Sequence, residues 1–300
     1  MPLNLGLGTL LVHEETVFMA NAIHPTKIIF RKMERELLRL ESDQRPDAVH
    51  SFRTTSRRLE TLLEQVACTG GRNQAKLLKL LGRLRRRAGN VRDVDVQLAA
   101  LRSLKVPLEP RRKTQLTQSL IELRAKHEKK LRKLLKRKVV REIHKRLKRA
   151  LEASKSAKSR DPLAVAKQIL AAVPVSSGPV NEELLHRYRI AVKQARYAAE
   201  FAPKSPESAE LIAQLRQAQD ALGSWHDWST LTQTATQTLG EINQSPLVAA
   251  MHNVTRGKFR NAVATVSTAK EQTREETPAA DASRKLSKSP TPTGPARAAA

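Results

Sequence analysis

The chain has 300 residues, with 55 Lys and Arg against 29 Asp and Glu, and its formal net charge at pH 7 is +26. A chain with this excess of positive charge attracts polyanions at long range. The excess therefore predicts a polyanionic partner such as nucleic acid, a polyphosphate chain or an acidic membrane surface. A hydrophobic fraction of 40% excludes a wholly disordered chain. The single cysteine, Cys68, excludes an intrachain disulfide, as is typical of a reducing compartment, so we expect a cytoplasmic protein.

The N-terminus has no secretory signal. Residues 1–12 are weakly apolar, no basic segment precedes them, and His13, Glu14 and Glu15 follow at once. Elsewhere no uncharged apolar run approaches the roughly 20 residues that span a bilayer. We therefore expect a soluble chain.

The hydrophobic pattern predicts an all-α body. Apolar residues recur at spacings of three and four from about 21 to 266, and alternating strand patterns are missing. Proline and glycine mark the breaks between helices, among them Pro25, Pro46, Gly89 and Gly223. The predicted helices span about 26–43, 47–67, 72–88, 91–104, 110–153, 162–172, 181–202, 206–222, 226–240 and 247–265.

The C-terminal segment has a different composition. From about 268 the sequence consists mainly of Thr, Glu, Ala, Ser, Pro and Lys without helical periodicity. Such a composition cannot bury enough apolar surface to order the chain. We predict a disordered tail over 268–300.

Two motifs occur twice in the same order. Residues 49–57 resemble residues 185–193, which lie 136 positions later, and residues 88–93 resemble 222–227, which lie 134 positions later. Two pairs at nearly one offset indicate a duplicated helical unit. The expected structure is a pair of similar helix bundles related by an approximate two-fold axis.

Both repeats carry cations on one helix face. At about 100° per residue, His50, Arg53 and Arg57 fall within an arc of roughly 60°, opposite the apolar face. The equivalent helix of the second half has the stripe His186, Arg189, Lys193 and Arg196. The helix that follows the first stripe adds Lys76, Lys79, Arg83 and Arg86. If the two halves are related by a two-fold, their stripes can meet in one cationic channel.

A basic stripe also has a purely structural interpretation, because charge runs are usually solvated helix faces. Apart from Glu60 and Glu200, however, few carboxylates stand one turn away to offset these cations. An anionic ligand would relieve their repulsion. Arginine bonds phosphate oxygens bidentately and lysine adds a mobile charge, so the mixture suits a phosphate chain.

The two stripe histidines admit three interpretations. His50 and His186 are metal ligands, donors to an anion, or packing residues. No second histidine accompanies either at ligand spacing, which argues against a metal. We favour a donor to an anion, because a neighbouring polyanion raises the pKa of an imidazole.

The second motif contains one aspartate in each half. Asp93 follows Arg92 and Asp227 follows His226, in each case shortly after a glycine. We interpret both as carboxylates in a first helical turn, where they complement the helix dipole. No phosphate-binding glycine loop, catalytic triad or metal-binding carboxylate cluster is recognisable, so no catalytic residue, metal or cofactor is predicted.

The connecting segment is strongly basic. Residues 124–149 contain fourteen Lys and Arg around a helical apolar stripe. Helices of this kind bind nucleic acid or anionic lipid. The segment supports a polyanionic partner without identifying it.

The two His-x-x-Arg-x-x-x-[Arg/Lys] helices, each followed by Gly-x-x-[Arg/His]-Asp, resemble the CHAD (conserved histidine α-helical) domain family over about 18–265. The resemblance implies halves at about 18–108 and 162–265 joined by a basic helix at about 110–155. It implies two four-helix bundles with pseudo-two-fold symmetry around a basic central cavity that binds inorganic polyphosphate. The binding positions it implies are His50, Arg53, Arg57, Arg58, His186, Arg189, Lys193 and Arg196.

The sequence departs from the family pattern at three places. Glu60 stands where a further basic residue is usual, Gln194 replaces the second of two adjacent cations, and residues 214–220 lack the stripe that Lys76 to Arg86 provides. The second half is therefore expected to hold its ligand less tightly than the first.

The leading prediction is a non-catalytic polyphosphate-binding protein in the cytoplasm, associated with polyphosphate granules. The alternative is a protein that binds the backbone of duplex nucleic acid, because charge alone favours that partner and the scarcity of aromatic residues argues only against base stacking. An enzyme acting on phosphate chains is the third hypothesis. It would need a carboxylate cluster that the sequence lacks.

Overall fold

The structure, a computed structural model, describes residues 8–105, 109–173, 180–240 and 245–285, and side chains within 25–268 of these ranges. In these ranges the chain forms α-helices and one π-helical turn, with no strand, which confirms the all-α prediction. The helices are α1 (Gly8–Ser42), α2 (Pro46–Thr61), α3 (Gly71–Ser103), α4 (Pro110–Leu134), α5 (Arg137–Lys155), α6 (Pro162–Ala171), α7 (Glu182–Ala199), α8 (Pro206–Leu239) and α9 (Pro246–Lys285), with the π-helical turn at Leu62–Val66.

Most helix starts follow recognisable sequence signals. Proline, whose fixed φ suits a first helical turn, begins α2, α4, α6, α8 and α9. The side chain of Asp161 caps α6 by accepting from the amides of Leu163 and Ala164. Ser205 and Ser208 form a reciprocal capping box at the start of α8. These signals explain why the predicted breaks at these prolines are correct.

Two predicted breaks are wrong. Gly89 lies inside α3 and Gly223 inside α8, so each pair of short predicted helices is one helix of more than 30 residues. A glycine in a helix interior costs about 1 kcal/mol relative to alanine, which burial of neighbouring side chains easily outweighs. Pro25, also predicted as a break, lies inside α1, where proline removes one backbone hydrogen bond without ending the helix.

The predicted basic helix over 110–155 is divided in two. Leu135 leaves the helical conformation at φ −80° and ψ 40°, and Lys136 is extended at φ −71° and ψ 140°. The break lets the two parts follow different surfaces. Helix α4 packs against α3 and α8, whereas α5 packs against α3 and α1.

The helices pack in two groups, of which the second consists of helices from the second predicted half and the first adds α5, from the predicted connecting segment, to helices of the first half. In the first group α1, α2, α3 and α5 pack in a closed ring, each against two of the others. In the second, α6 packs against α7, α7 against α8, and α8 against α9. Helix α2 contacts α7 and helix α3 contacts α8, so the elements that carry the repeated motifs meet each other. The two-fold relationship itself stays a prediction.

The main core extends through both groups. It joins buried residues of the first half, such as Phe52 and Leu81, to buried residues of the second, such as Leu185 and Leu222. A second cluster packs the C-terminal parts of α3 and α8 against the N-terminal parts of α4 and α9, with Leu116 and Leu247 among its members. Helices α3, α4, α8 and α9 thus contribute side chains to both clusters.

The C-terminal helix runs further than the sequence predicts. Helix α9 continues to Lys285, past the boundary near residue 268 where a disordered tail was expected. Residues 286–300 of that predicted tail lie outside the described residues. Within the described part of the chain no helix is long and apolar enough to cross a membrane.

Candidate functional site

The cationic stripes of the two halves meet between α2 and α7. Helix α2 supplies Arg53 and Arg57, and α7 supplies Arg189 and Lys193, all of them half-buried. The pKa of Lys193 is lowered to about 8, first by burial and then by Arg189, with further lowering by Arg57 and Arg53 of the other half. We call Arg53, Arg57, Arg92, Arg189 and Lys193 the central cluster.

Burial also perturbs the two equivalent arginines of this cluster. The pKa of Arg53 is lowered by burial, and the pKa of Arg189 is lowered in the same way. Each has an aspartate whose charge opposes the shift, Asp93 for Arg53 and Asp227 for Arg189. The repeated motifs therefore place the same pair of charges on each side of the site.

The central cluster lacks charge partners. Among the described residues, no carboxylate lies within ion-pair distance of any of its five cations. Within the described part of the chain, one hydrogen bond leaves the cluster, from Arg53 Nη1 to the carbonyl of Arg85 at 3.1 Å. Nε of Arg189 is buried and has no hydrogen-bond partner among the same residues. Half-buried cations without partners are costly, and an anionic ligand would satisfy them.

Partly buried arginines outside the cluster are paired. Arg124 donates from Nε to Asp95 at 2.7 Å, and Arg85 donates from Nη2 to Glu60 at 2.6 Å. Glu60 is the acidic residue that departs from the family pattern. Its pairing with Arg85 gives that departure a structural role and leaves the central cluster free.

Three histidines lie around the cluster. His50 is on the exposed rim of α2, and its pKa is lowered by partial desolvation and by Arg92, Arg53 and other cations. His186 of α7 faces His226 of α8, with their ring centroids 6.0 Å apart. The pKa of His226 is lowered to about 4 by burial, Arg189, Lys193 and His186, so this ring is neutral at neutral pH in the unliganded protein.

The predicted role of the two aspartates as helix-start residues is wrong. Asp93 and Asp227 lie in the middle of α3 and α8, because neither glycine before them breaks its helix. Asp227 is half-buried and its pKa is raised by burial, with a smaller raising effect from Asp93. The two carboxylates therefore stand near each other among the cations of the cluster.

Arg58 and Arg196, both predicted to bind the ligand, are paired with one carboxylate. Glu200, at the end of α7, accepts from Nε of Arg58 at 2.6 Å and also from Nη1 of Arg196. Both guanidinium groups lie over the ring of Tyr197, 5.7 Å and 4.8 Å from its centroid. Arg58, Glu200 and Arg196 thus join the two halves. The two arginines were expected to face the ligand, but their charges are paired with Glu200.

The remaining predicted positions lie on α3. Lys76, Lys79, Arg83 and Arg86 are exposed. Their side chains take part in none of the hydrogen bonds or ion pairs of the described residues, so their role in ligand binding stays a prediction.

Two residues of the site were not predicted. Arg92 and His226 occupy the same position in the repeated Gly-x-x-[Arg/His]-Asp motif, and both contribute to the electrostatics of the cluster. The signal for them was the repetition itself. The [Arg/His]-Asp pair repeats at nearly the same offset as the basic stripe. Because α3 and α8 continue through this motif, the pair lies on the same surface as the stripe.

A cavity of about 770 Å³ lies beside this site. It is bounded by the π-helical turn, the end of α5 and the end of α7, and its apolar lining includes Leu62, Leu151 and Phe201. Glu200 also lines it, so the cavity adjoins the group formed by Arg58, Glu200 and Arg196. None of the five central cations lines it.

The family profile described as "CHAD domain" matches residues 28–236. The chain belongs to the CHAD family. This match includes both copies of each motif and confirms the family resemblance. No curated protein sequence matches the chain.

Two solved structures share the fold. The crystal structure of the CHAD domain from the plant Ricinus communis matches with a TM-score of 0.63 and 18% identity, over 83% of this chain and 89% of that one. PptA from Streptomyces chartreusis matches with a TM-score of 0.57 and 14% identity, over 82% of this chain and 95% of that one. At these identities the likeness shows the arrangement of the helices alone.

Proposed function

We propose that this CHAD protein binds inorganic polyphosphate at the central cluster without chemically altering it, and that it does so at polyphosphate granules. One observation carries the proposal: half-buried cations from both halves meet, and among the described residues none of them forms an ion pair with a carboxylate. Arginine and lysine together suit a flexible chain of phosphates, because guanidinium groups bond oxygens bidentately and lysine tolerates shifts in register.

The depth of the cluster favours a thin, flexible ligand. Arg53, Arg189 and Lys193 are half-buried, so the backbone of a wide, rigid duplex has poor access to them. A polyphosphate strand is a single chain with about one negative charge per phosphate and can follow a narrow path between α2 and α7. Its charges would pair with the cations of the cluster.

The side chains around the cluster support binding rather than turnover. Phosphoryl transfer commonly uses metal ions held by carboxylates. In the described ranges, no three His, Cys, Asp or Glu side chains are grouped so that they could hold a metal ion. Asp93 and Asp227 are placed beside Arg53 and Arg189, whose charges they oppose.

A competition titration tests the ligand class. Labelled short-chain polyphosphate is bound to the full chain at about 150 mM salt, where the Debye length is about 8 Å. Unlabelled polyphosphate and duplex DNA are then added at equal phosphate concentration. We expect polyphosphate to displace the label and DNA to leave most of it bound. Equal displacement by DNA would show a general polyanion site and contradict the proposal.

A further inference from the structure

A second basic surface lies on α5. Taking about 100° per residue, five of its exposed cations fall within an arc of about 100° that is centred opposite the buried side of the helix. This surface, which we call the α5 face, consists of Lys138, Arg141, Lys145, Lys148 and Arg149. From Lys138 to Arg149, at a rise of about 1.5 Å per residue, the face extends along about 17 Å of the helix.

The α5 face is not neutralised. None of its five side chains takes part in an ion pair or hydrogen bond among the described residues. The carboxylates of the same helix have other partners, because Glu142 pairs with Arg146 and Glu152 pairs with Lys155. Cations at one-turn spacing without carboxylates repel one another, and a polyanion on this face relieves that repulsion.

The face has no apolar part that could enter a bilayer. The apolar stripe of α5 is buried, with Val140, Ile143 and Leu147 in the main core. Large exposed apolar side chains in the described part of the chain lie on α1, α4 and α7, and none lies on α5. Helices that bind membranes at the interface insert an apolar face, so an anionic membrane fits this surface poorly.

The shape of the face favours duplex nucleic acid. A straight, convex helix surface offers contacts on one side only, so a flexible polyanion must lose chain entropy to lie along it. A duplex presents phosphates that are already ordered, at one charge per about 1.7 Å of its axis. The face has no aromatic side chain on which single-stranded bases could stack.

The α5 face and the central cluster are separate. Helix α5 meets α3 near Asn73, whose side chain donates to the carbonyl of Arg146 at 3.1 Å. Arg92, the cluster residue of α3, lies about 28 Å further along that helix. Helix α2, which carries Arg53 and Arg57, packs against α3 on the other side, where Arg53 reaches the carbonyl of Arg85. One ligand on each surface is sterically compatible.

We propose that the α5 face is a docking surface for the phosphate backbone of duplex nucleic acid, independent of sequence, and that the protein can hold a duplex there while the central cluster is occupied. The contact is electrostatic. Lysine and arginine neutralise phosphates on a regular rod, and the interaction loses strength as salt rises.

The test compares two variants of equal charge. The face variant carries Lys138→Gln, Arg141→Gln, Lys145→Gln and Lys148→Gln. The control variant carries Arg31→Gln, Arg35→Gln, Arg256→Gln and Arg260→Gln, four exposed cations on α1 and α9 that likewise form no ion pair with any described residue. Glutamine keeps the helix propensity, so both are expected to fold, and circular dichroism checks this.

Binding is measured to a duplex of about 20 base pairs, two helical turns, over a series of salt concentrations. We expect the Kd of the face variant to rise at least about tenfold. The magnitude of the slope of log K against log salt should fall by about 3 to 4, because each lost phosphate contact lowers that magnitude by about 0.9. The control variant should change Kd less than about threefold. Short-chain polyphosphate is titrated in parallel, and its affinity for the face variant should remain that of the unmodified chain.

Several results would overturn the proposal. Equal losses in both variants would show that net charge alone attracts DNA. An unchanged face variant would place the duplex elsewhere. Single-stranded DNA that binds as tightly as duplex would contradict the argument from rigidity. If the face variant loses more affinity for phosphatidylserine vesicles than for the duplex, the partner of this face is a membrane. Because duplex binding is measured without polyphosphate, each outcome is independent of the proposed function.

Discussion

Lys193 shows at the level of one residue how the site is built. Burial and four neighbouring charges act on it, and three of those charges are cations. The result is a lysine whose pKa, about 8, lies close to physiological pH. A polyanion in the site would replace repulsion by attraction and raise the pKa of this amine again, so binding is coupled to the uptake of a proton.

This coupling predicts a pH dependence. Below pH about 8 the amine of Lys193 is already charged, and its contribution to polyphosphate affinity is complete. As pH rises through about 8 the free protein loses this proton, so binding must recover it and affinity falls. We expect Kd to increase about tenfold for each pH unit above 8 until the pKa of the bound state is reached, measured by titration calorimetry.

Lys193→Arg is the matched variant, because an arginine keeps its charge throughout this range. Its affinity should stay nearly constant between pH 7 and about 9. Lys27→Arg, at an exposed position of α1, should retain the pH dependence of the unmodified chain. A flat profile in the unmodified chain would show that Lys193 does not contact the ligand.

At the level of elements, Gly89 and Gly223 occupy equivalent positions in the two halves but differ in surroundings. A Cβ atom at Gly89 would overlap Nη1 of Arg53, which passes over this residue to reach the carbonyl of Arg85. Nothing lies within 4 Å of a Cβ placed on Gly223. Only Gly89 is therefore needed to position a central cation.

These two glycines give a paired prediction. Gly223→Ala should raise the free energy of unfolding by about 0.5 to 1 kcal/mol, because alanine is the better helix former and meets open space. Gly89→Ala gains the same propensity but displaces Arg53, so the hydrogen bond to Arg85 is lost and the net change in stability is small. Its polyphosphate affinity should fall about three- to tenfold. Thermal unfolding and titration calorimetry measure both. Equal binding by the two variants would contradict the placement of Arg53.

The sequence predicts helix existence well and helix ends unevenly. Prolines at Pro46, Pro110, Pro162, Pro206 and Pro246 identify five helix starts, because proline acts locally through its fixed φ. Gly89 and Gly223 are poor predictors of helix breaks. Whether a helix continues through a glycine depends on how well its neighbouring side chains are buried, and that burial depends on the whole fold. The break at Leu135 has no such signal. It follows from the different helices that α4 and α5 pack against.

At the level of the molecule, equivalent contacts of the two halves use different residues. In the first half Arg85 of α3 donates to Glu60 of α2, and in the second Arg196 of α7 donates from Nε to Gln219 of α8 at 2.9 Å. Residues 60 and 196 differ by 136 and residues 85 and 219 by 134, the offsets of the two repeated motifs. The cation and its acceptor have thus exchanged helices between the halves.

Contacts within one helix could be predicted from the sequence, whereas individual side-chain contacts between helices could not. Equivalence of sequence predicted that the stripe of α2 would meet the stripe of α7, and Arg53 and Arg57 do lie close enough to Lys193 to lower its pKa. It gave Arg58 and Arg196 the same role as the others, although Glu200 pairs with both. The Arg58–Glu200 pair is a contact between halves that no periodicity within one helix reveals, whereas the Arg196–Glu200 pair spans one helical turn and follows from the sequence.

The central claim is that the cluster, rather than total charge, holds polyphosphate. The most direct measurement is the Kd of short-chain polyphosphate at about 150 mM salt for the variant Arg53→Gln, Arg57→Gln, Arg189→Gln and Lys193→Gln. The comparison is the variant Arg31→Gln, Arg35→Gln, Arg256→Gln and Arg260→Gln, which loses equal charge from exposed positions.

We predict that the cluster variant loses at least about 100-fold in affinity, since four charge-assisted hydrogen bonds are removed. Its melting temperature should equal or exceed that of the unmodified chain, because unpaired, half-buried cations are removed with them. The comparison variant should stay within about threefold of the unmodified chain. A folded cluster variant that binds as tightly as the unmodified chain, or equal losses in both variants, would contradict the account.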